Sequence, residues 1–278
     1  MWPIPLGTQM TKLLLSTAAL LAMTAAAMAA DLPARTMAPA PVVPVAPVFT
    51  WSGFYLGISG GGIFGDNRVT TAGVLAGNIA NVNVLARPPR VTVENDGYLI
   101  GGTAGFNMQF GAFVAGIEGD VSYTDVDSRT TYLNPNPFGI APFPAGSTRS
   151  TFRSEMDYLA TVRGRVGVAF DRVLVYATGG AAIADVTNTA DFGAPVTGAQ
   201  QFFGQRSDTL VGYTVGGGVE VAVTNNISLK GEYLYYDLGR TTVNVPAVGA
   251  GGAGAYTSRF DNEGHIVRGG ANFRFNTF

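Results

Sequence analysis

Nine charged residues occupy alternate positions in segments that are otherwise rich in glycine and apolar side chains. They are Glu118, Asp120, Arg163, Arg165, Glu220, Lys230, Glu232, Arg268 and Arg274. Side chains two residues apart share one face of a β-strand, so these four acids and five bases would face the same side of a sheet. Paired charges with hydrogen bonds are tolerated in a narrow interior. We therefore predict a salt-bridged network inside a barrel; a gated ion path is the alternative.

Catalytic and metal chemistry have weaker support. His265 is the single histidine, with Ser258, Asp261 and Glu263 nearby in the sequence. A hydrolase needs a nucleophile, a base and an acid that meet in space, which closeness in sequence does not establish. One histidine and no cysteine make no ligand pattern for a metal. We predict no enzymatic activity, no cofactor and no metal, and keep a lipid-modifying outer-membrane hydrolase as a remote alternative.

Eight segments position these charges, and each has the length and composition of a β-strand. Apolar and polar or small residues alternate with a period of two in seven of them, which predicts strands with one apolar face. The fifth segment has no clear polar face, so its register stays open. The predicted strands are 53–64, 97–110, 113–124, 157–170, 173–186, 209–224, 227–238 and about 264–275.

Short and long connections alternate strictly between these segments. The short ones are two-residue turns at 111–112, 171–172 and 225–226, and the long ones are 65–96, 125–156, 187–208 and 239–263. This alternation is typical of an up-and-down antiparallel barrel whose short turns face the periplasm. The sequence therefore predicts an all-β, eight-stranded transmembrane barrel with both chain ends on the periplasmic side.

The apolar face has the length needed to cross a bilayer. Tyr158 and Phe170 bracket one such face and lie twelve residues apart. At ~3.3 Å per residue and a tilt of ~40°, this spans roughly 30 Å, about the height of the apolar band with its aromatic girdles. A soluble barrel with its apolar face inward is the alternative. The lipid assignment requires Tyr158, Val162, Val166 and Phe170 to point outward and Arg163 and Arg165 to point inward.

The first fifty residues indicate export. Lys12, the apolar run 13–23 and Ala27-Met28-Ala29 are typical of a signal peptide over residues 1–30, with a membrane anchor as the alternative. Residues 31–50 are proline-rich and predict an extended periplasmic leader, so the barrel domain is 51–278. The net charge of -2 provides no basic field for nucleic acid.

Several motifs together resemble the small outer-membrane β-barrel proteins of alphaproteobacteria, the porin-like surface proteins of rhizobia and brucellae. These motifs are the Ala-Met-Ala-Ala-Asp junction at 27–31, Trp-Ser-Gly-Phe-Tyr-Leu-Gly at 51–57, Gly-Ile-Glu-Gly-Asp at 116–120, Arg-Gly-Arg-Val-Gly at 163–167, Tyr-Ala-Thr-Gly-Gly at 176–180, Gly-Gly-Gly-Val-Glu at 216–220 and Lys-Gly-Glu-Tyr at 230–233. The resemblance implies an eight-stranded barrel in the outer membrane of a Gram-negative bacterium. Its partners would be outer-membrane lipids and lipopolysaccharide, with periplasmic chaperones and the barrel-assembly machinery during biogenesis.

The C-terminal residues look like the assembly signal of that family. The matching positions are Arg268, Gly270, Phe273 and Phe275, while Phe278 lies beyond the usual terminal aromatic residue. We expect a structural or surface protein with long extracellular loops and a lumen filled by side chains. A porin for small solutes is the alternative.

Overall fold

The structure is a computed structural model that describes residues 49–135, 145–193, 200–248 and 254–275. Its strands are β1 (Gly53–Phe64), β2 (Asp66–Gly73), β3 (Arg90–Glu94), β4 (Gly97–Phe110), β5 (Phe113–Leu133), β6 (Arg149–Phe170), β7 (Val173–Gly193), β8 (Gln200–Ala222), β9 (Ile227–Pro246) and β10 (Ala255–Phe275), and one helix, α1 (Ala76–Asn83), lies between β2 and β3. The predicted signal peptide, nearly all of the proline-rich leader and Phe278 lie outside the described residues. Among the described residues, no helix is long and apolar enough to cross a bilayer.

The strands close into a ring. Every neighbouring pair is antiparallel, and β1 pairs with both β4 and β10, which closes the sheet on itself. β1 and β2 both pair with β10 and together occupy one position in the ring. β3 pairs with β2, as β4 pairs with β1, so β3 and β4 together occupy the next position. The ten segments therefore fill eight positions, and the predicted eight-stranded up-and-down barrel is confirmed.

The outward face matches the lipid-facing prediction. Val162, Val166 and Phe170 are 68%, 63% and 65% exposed, whereas Arg163 and Arg165 are 1% and 3% exposed. Large exposed apolar side chains occur in the same way on all the strands that flank β6. A continuous apolar belt of this kind fits hydrocarbon and would be unstable in water. In this part of the barrel, a soluble fold with an inward apolar face is excluded.

Aromatic residues mark both edges of the apolar belt. Tyrosines lie at the edge away from the short turns: Tyr98, Tyr123, Tyr158, Tyr213 and Tyr233. Phenylalanines lie at the edge near the short turns: Phe54, Phe110, Phe113, Phe170, Phe273 and Phe275. Such rows are the aromatic girdles of membrane barrels. We call the part between the short turns and the tyrosine row the membrane half, and the remainder the long-loop half.

The strands are much longer than the sequence predicted. β5 to β10 contain 20 to 23 residues each, and at ~3.3 Å per residue they are roughly 70 Å long. A tilted strand needs only about 10 residues to cross the bilayer. The prediction that 125–156, 187–208 and 239–263 are loops is therefore wrong over most of their length, and 65–96 contains β2, α1 and β3. The third turn is also longer than predicted, since β8 ends at Ala222 and β9 begins at Ile227.

Irregularities in the strands explain where the predicted segments stopped. A β-bulge in β6 lies between Met156 and Tyr158, so Met156 and Leu159 both face inward. In β9, Gly239 has a φ of +77°, and Leu238 and Thr241 both face inward. Each irregularity shifts the alternation by one residue. The period-two pattern therefore ends there although the strand continues.

The long-loop half has its faces reversed. Its outward strand positions are mostly polar and include Asp127, Arg129 and Arg153, although Leu133 at the end of β5 is also exposed. Its lumen holds a buried cluster that we call the aromatic layer: Phe152, Phe192, Phe202, Tyr256 and Phe260, with ring centroids 4.8–6.3 Å apart in the contacting pairs. An aliphatic cluster around Ile63, Leu99 and Leu234 lies between this layer and the membrane half. The sequence analysis predicted loops in this region and therefore did not anticipate an apolar core in its lumen.

Candidate functional site: a buried charge network in the lumen

Eight of the nine predicted lumen charges meet inside the membrane half. We call them the charged layer: Glu118, Asp120, Arg163, Arg165, Glu220, Lys230, Glu232 and Arg268. Arg163 lies at its centre and contacts Glu118, with further ion pairs of 2.9 Å to both Asp120 and Glu232. All eight side chains are almost completely buried.

The other bases extend the charged layer across the lumen. Arg268 bridges Asp120 at 2.9 Å and Glu232 at 2.6 Å. Lys230 donates to Glu118 at 3.0 Å, and Arg165 joins Glu220 at 2.9 Å. Residues from β5, β6, β8, β9 and β10 thus share one connected network. Four acids face four bases, so the formal charge of this network is zero, and each buried charge has an opposite charge to offset its desolvation.

Two tyrosines complete the charged layer and were missed in the sequence. Tyr55 donates its hydroxyl to Glu118 at 2.8 Å and accepts a hydrogen bond from Arg165 at 3.0 Å. Tyr176 donates to Glu232 at 3.2 Å, and the Arg165 guanidinium lies 3.9 Å from the centre of its ring. The sequence could have indicated both residues, because the alternation along β1 and β7 places Tyr55 and Tyr176 at inward-facing positions.

Glycines make room for these rings. A Cβ atom at Gly105, the residue of β4 that pairs with Tyr55, would lie 2.3 Å from the Tyr55 ring. Only glycine allows the ring to lie flat against the neighbouring strand at this position. A Cβ atom at Gly218 would similarly lie 2.8 Å from the hydroxyl oxygen of Tyr176. These inward glycines determine where the tyrosine hydroxyls reach the acids.

Arg274 does not join the charged layer, which corrects that part of the prediction. It points inward as expected, but its guanidinium lies 4.2 Å from the centre of the Trp51 ring and 4.6 Å from that of Phe49. It also donates to the carbonyl of Thr50 at 3.3 Å. Among the described residues it makes no ion pair. Alternation gives the face of a side chain but not its depth in a tilted barrel.

Residues 49–52 cover the short-turn end of the lumen, and we call them the floor. Trp51 is fully buried, and its indole Nε1–H donates to the carbonyl of Asp171 at 3.0 Å. Its backbone N–H donates to Gln109 Oε1 at 2.7 Å. Trp51 packs with Val114, Ala169, Leu174, Tyr176 and Ala222. The floor is therefore fastened to one short turn at Asp171 and to Gln109 near the end of β4, and it is stacked on Arg274.

The opposite end of the lumen is covered by the connection between β2 and β3. Arg87 reaches in from this segment and donates to the carbonyls of Arg149 at 2.7 Å and Gly193 at 3.3 Å, and to Gln201 Oε1 at 2.8 Å. The Tyr132 hydroxyl donates to the carbonyl of Leu85 at 3.0 Å. Starting from the short turns, the lumen is thus occupied by the floor, the charged layer, the aliphatic cluster, the aromatic layer and this segment.

The family comparison agrees with this architecture. The family model described as "Outer membrane protein beta-barrel domain" matches residues 15–275. The chain belongs to this family. As a member of the outer membrane protein β-barrel domain family, it is an outer-membrane protein, and its apolar belt faces lipid.

Curated relatives of this outer membrane β-barrel protein come from alphaproteobacteria. The chain is 32% identical to the 22 kDa outer membrane protein of Rhizobium leguminosarum bv. viciae over 199 residues, 70% of this chain and 67% of that protein. It is 29% identical to the 31 kDa outer-membrane immunogenic protein of Brucella melitensis over 252 residues, 90% of this chain and 93% of that protein. The resemblance noted from the sequence motifs is confirmed.

Among solved structures, the outer membrane protease OmpT from Escherichia coli is similar to this β-barrel with a TM-score of 0.49. The match has 10% sequence identity and covers 83% of this chain and 99% of OmpT. A likeness at this level says nothing about activity, because function depends on sites and not on the fold.

The hydrolase residues considered in the sequence do not meet in this outer membrane β-barrel. Ser258 is fully buried in the lumen, where its Oγ lies 3.5 Å from Thr71 Oγ1. His265 lies on the outer surface, with Nδ1 2.7 Å from the Tyr233 hydroxyl. The barrel wall separates the two side chains. No group of three or more histidine, aspartate or glutamate side chains within the described residues could hold a metal ion.

The predicted assembly residues at the end of this β-barrel chain divide between the two faces of β10. Arg268 belongs to the charged layer, and Gly270 faces the lumen, where a Cβ atom would lie 2.7 Å from the carbonyl oxygen of Ile58. Phe273 and Phe275 face lipid, with ring centroids 5.2 Å apart. Phe278 lies outside the described residues. Their role in assembly stays a prediction.

Proposed function

We propose that this protein is a structural and surface component of the outer membrane with a closed lumen, and that it neither conducts solutes nor catalyses a reaction. The observation that carries this proposal is the charged layer. Arg163 alone bridges three acids across the lumen, at a level where an eight-stranded barrel is about wide enough to be filled by side chains. Solute flow would require breaking this network.

We propose further that the short turns and both chain ends face the periplasm, while the long-loop half projects from the cell. Short periplasmic turns and long extracellular connections are the usual arrangement of such barrels. The polar outer face of the long-loop half suits water on that side of the membrane. The Brucella relative is named an immunogenic protein, and exposure of this half at the cell surface would agree with that description.

Conductance of the full chain refolded into a planar bilayer tests the closed lumen. We expect no stepwise current from the wild-type protein under conditions in which a trimeric porin gives clear steps. A variant that removes two lumen bases, Arg163→Ala with Arg268→Ala, provides the comparison, provided that it still shows the gel shift of a folded barrel. Reproducible single-channel steps from the wild-type protein would establish the porin alternative.

Cysteine labelling tests the orientation, because the chain contains no cysteine. Thr131→Cys places a thiol on the exposed surface of the long-loop half, and Ala112→Cys places one in a short turn. In intact cells a membrane-impermeant maleimide should label only the Thr131→Cys variant. Labelling of Ala112→Cys should require permeabilised cells. The opposite pattern would invert the proposed orientation.

We also propose that the predicted C-terminal residues direct assembly and that lipopolysaccharide surrounds the folded barrel. Phe275→Ala should lower the amount of folded barrel in outer-membrane fractions, whereas Phe64→Ala, which removes another exposed lipid-facing phenylalanine, should have a smaller effect. Equal losses from both variants would assign Phe275 to lipid contact alone.

A further inference from the structure

A cavity at the long-loop end of the lumen has the properties of a ligand site. It has a volume of about 420 Å³ and lies between α1, Arg87 and the lumen wall. Its polar lining includes Asn81, Gln201 and Tyr256, and Phe202 supplies an apolar wall. A volume of several hundred Å³ with few polar groups on an apolar surface is typical of small-molecule sites. We propose that this cavity binds a small soluble anion, a phosphate or carboxylate carried by a sugar-sized molecule.

The charge of Arg87 selects the chemical class. Its side chain is only 3% exposed, and its hydrogen bonds go to neutral oxygens: two backbone carbonyls, the amide of Gln201 and the hydroxyl of Ser150. None of the ion pairs among the described residues includes it. Burial lowers the pKa of its guanidinium, and the nearby Tyr256 hydroxyl and, to a lesser extent, the Asp191 carboxylate counteract this only in part. A buried cation without a paired acid attracts an anion.

Neutral donors around Arg87 complement a hydroxylated anion. Asn81 Nδ2 donates to the Tyr256 hydroxyl at 2.9 Å, which orients the phenol at the cavity wall. The Arg87 guanidinium also lies 5.3 Å from the centre of the Phe192 ring. Because the carbonyls of Arg149 and Gly193 fix its NH1 group, the guanidinium is already ordered before a ligand arrives. Such preorganisation reduces the entropy lost on binding.

The position of the cavity indicates the source of the anion. Arg87 is anchored to Arg149, the first residue of β6, which lies nine residues from Tyr158 in the girdle. At ~3.3 Å per residue, this is roughly 30 Å along the strand from the membrane edge. A phospholipid headgroup lies at the girdle and does not extend this far. We therefore assign the ligand to the solution and not to the membrane.

Titration calorimetry on the full refolded chain in detergent tests the site, with glucose 1-phosphate, inorganic phosphate and glucose as probes. Glucose 1-phosphate should bind, inorganic phosphate more weakly, and glucose not at all. Arg87→Gln should weaken binding by roughly tenfold to a hundredfold, which corresponds to the loss of a charge-assisted hydrogen bond. Arg90→Gln is the matched control, since Arg90 is exposed three residues away, and it should bind as the wild type does.

A second variant tests the cavity independently in case Arg87→Gln does not fold. Gly77 lines the cavity, and a Cβ atom there meets nothing within 4 Å. Leucine at this position should therefore fill the space while favouring the helix. Gly77→Leu should abolish binding without lowering the unfolding temperature, and Ala80→Leu on the exposed side of α1 should leave binding unchanged.

Three results would overturn the proposal. They are no binding of either phosphate probe to the wild-type protein, equal affinity in wild type and Arg87→Gln, and unchanged affinity in Gly77→Leu. Vesicles containing phosphatidylglycerol distinguish the two sources of phosphate. These vesicles should not compete with glucose 1-phosphate for binding. Effective competition would show that the cavity binds a lipid headgroup and would contradict the assignment to a soluble anion.

Discussion

The two halves of this barrel are built from the same strands but with opposite faces. In the membrane half, Val162 and Val166 face outward and Arg163 faces the lumen. In the long-loop half, Arg153 faces outward and Phe152 is fully buried in the lumen. All of these residues belong to β6. A strand that crosses from lipid into water therefore exchanges the roles of its two faces.

The solvent outside the barrel explains this difference. Where lipid surrounds the wall, outward side chains must be apolar, and polar groups are accommodated inside only when they are paired. Where water surrounds the wall, the hydrophobic effect drives the apolar side chains into the lumen. The membrane half is thus held together by ion pairs and hydrogen bonds, and the long-loop half by a conventional apolar core.

The largest effect should come from breaking the charged layer. Arg163→Met keeps a similar volume but leaves Glu118, Asp120 and Glu232 short of one base. Removing one partner of a buried ionic cluster costs about 3–5 kcal/mol. We expect a large fall in the urea concentration at which half of the refolded protein unfolds. The gel shift of the folded barrel measures the folded fraction at each urea concentration. A free energy of unfolding within about 0.5 kcal/mol of the wild-type value, the scale of neutral surface changes, would show that the network contributes little.

Placing one charge on the outside of each half sharpens the comparison. Val219 and Gln205 both face outward on β8, Val219 in the membrane half and Gln205 in the long-loop half. Val219→Arg should cost about 2–4 kcal/mol, the penalty for arginine near the bilayer midplane. Gln205→Arg should be close to neutral because its position faces water. Folding titrations in lipid vesicles measure both, and equal costs would remove the distinction between the halves.

A smaller effect separates inward from outward glycines on β4. Alanine at Gly105 would place its Cβ 2.3 Å from the Tyr55 ring, whereas at Gly102 the nearest atom is 4.0 Å away. Gly105→Ala should destabilise the barrel by about 1–3 kcal/mol through overpacking. Gly102→Ala should be neutral or slightly stabilising, since glycine weakens a strand interior. Both values come from urea unfolding, and a reversed order would contradict the position of the tyrosine.

The smallest effect concerns an ion pair on the outside of the long-loop half. Arg153 holds Asp127 through two hydrogen bonds of 2.7 Å, and these lower the pKa of the Asp127 carboxyl below its ordinary value of 3.8. Because folding depresses the pKa of Asp127, the pair stabilises the protein fully at pH values above 3.8, the ordinary pKa. This stabilisation is lost as the pH falls through the lower pKa of the folded state. The pair is exposed, so Asp127→Asn should cost less than about 1 kcal/mol at pH 7. A larger loss would show that outward pairs contribute as lumen pairs do.

The sequence predicted the membrane half well and the long-loop half poorly. The bounds of β1 and β4 agree with the predicted segments, as do the ends of β6 and β10 near the short turns. Alternation was easy to read there because one face is uniformly apolar. Beyond the tyrosine row, the bulge at Tyr158 and the exchange of faces interrupt the pattern. No single period describes a strand that passes between two solvents.

The charged layer was predictable in membership but not in geometry. Parity placed eight residues on the inward face, and the structure brings these eight together. The same parity included Arg274, whose depth in the barrel depends on strand tilt and register. Tyr55 and Tyr176 were passed over because an inward aromatic residue does not reveal that its hydroxyl reaches a carboxylate.

Site-directed spin labelling tests the central claim most directly, and the absence of cysteine allows single labels at Val162→Cys and Thr131→Cys. In lipid vesicles, the label at 162 should collide mainly with dissolved oxygen, which concentrates in hydrocarbon. The label at 131 should collide mainly with a water-soluble nickel chelate. If residue 162 is instead accessible to the chelate and shielded from oxygen, the membrane half does not face lipid and the exchange of faces described here is contradicted.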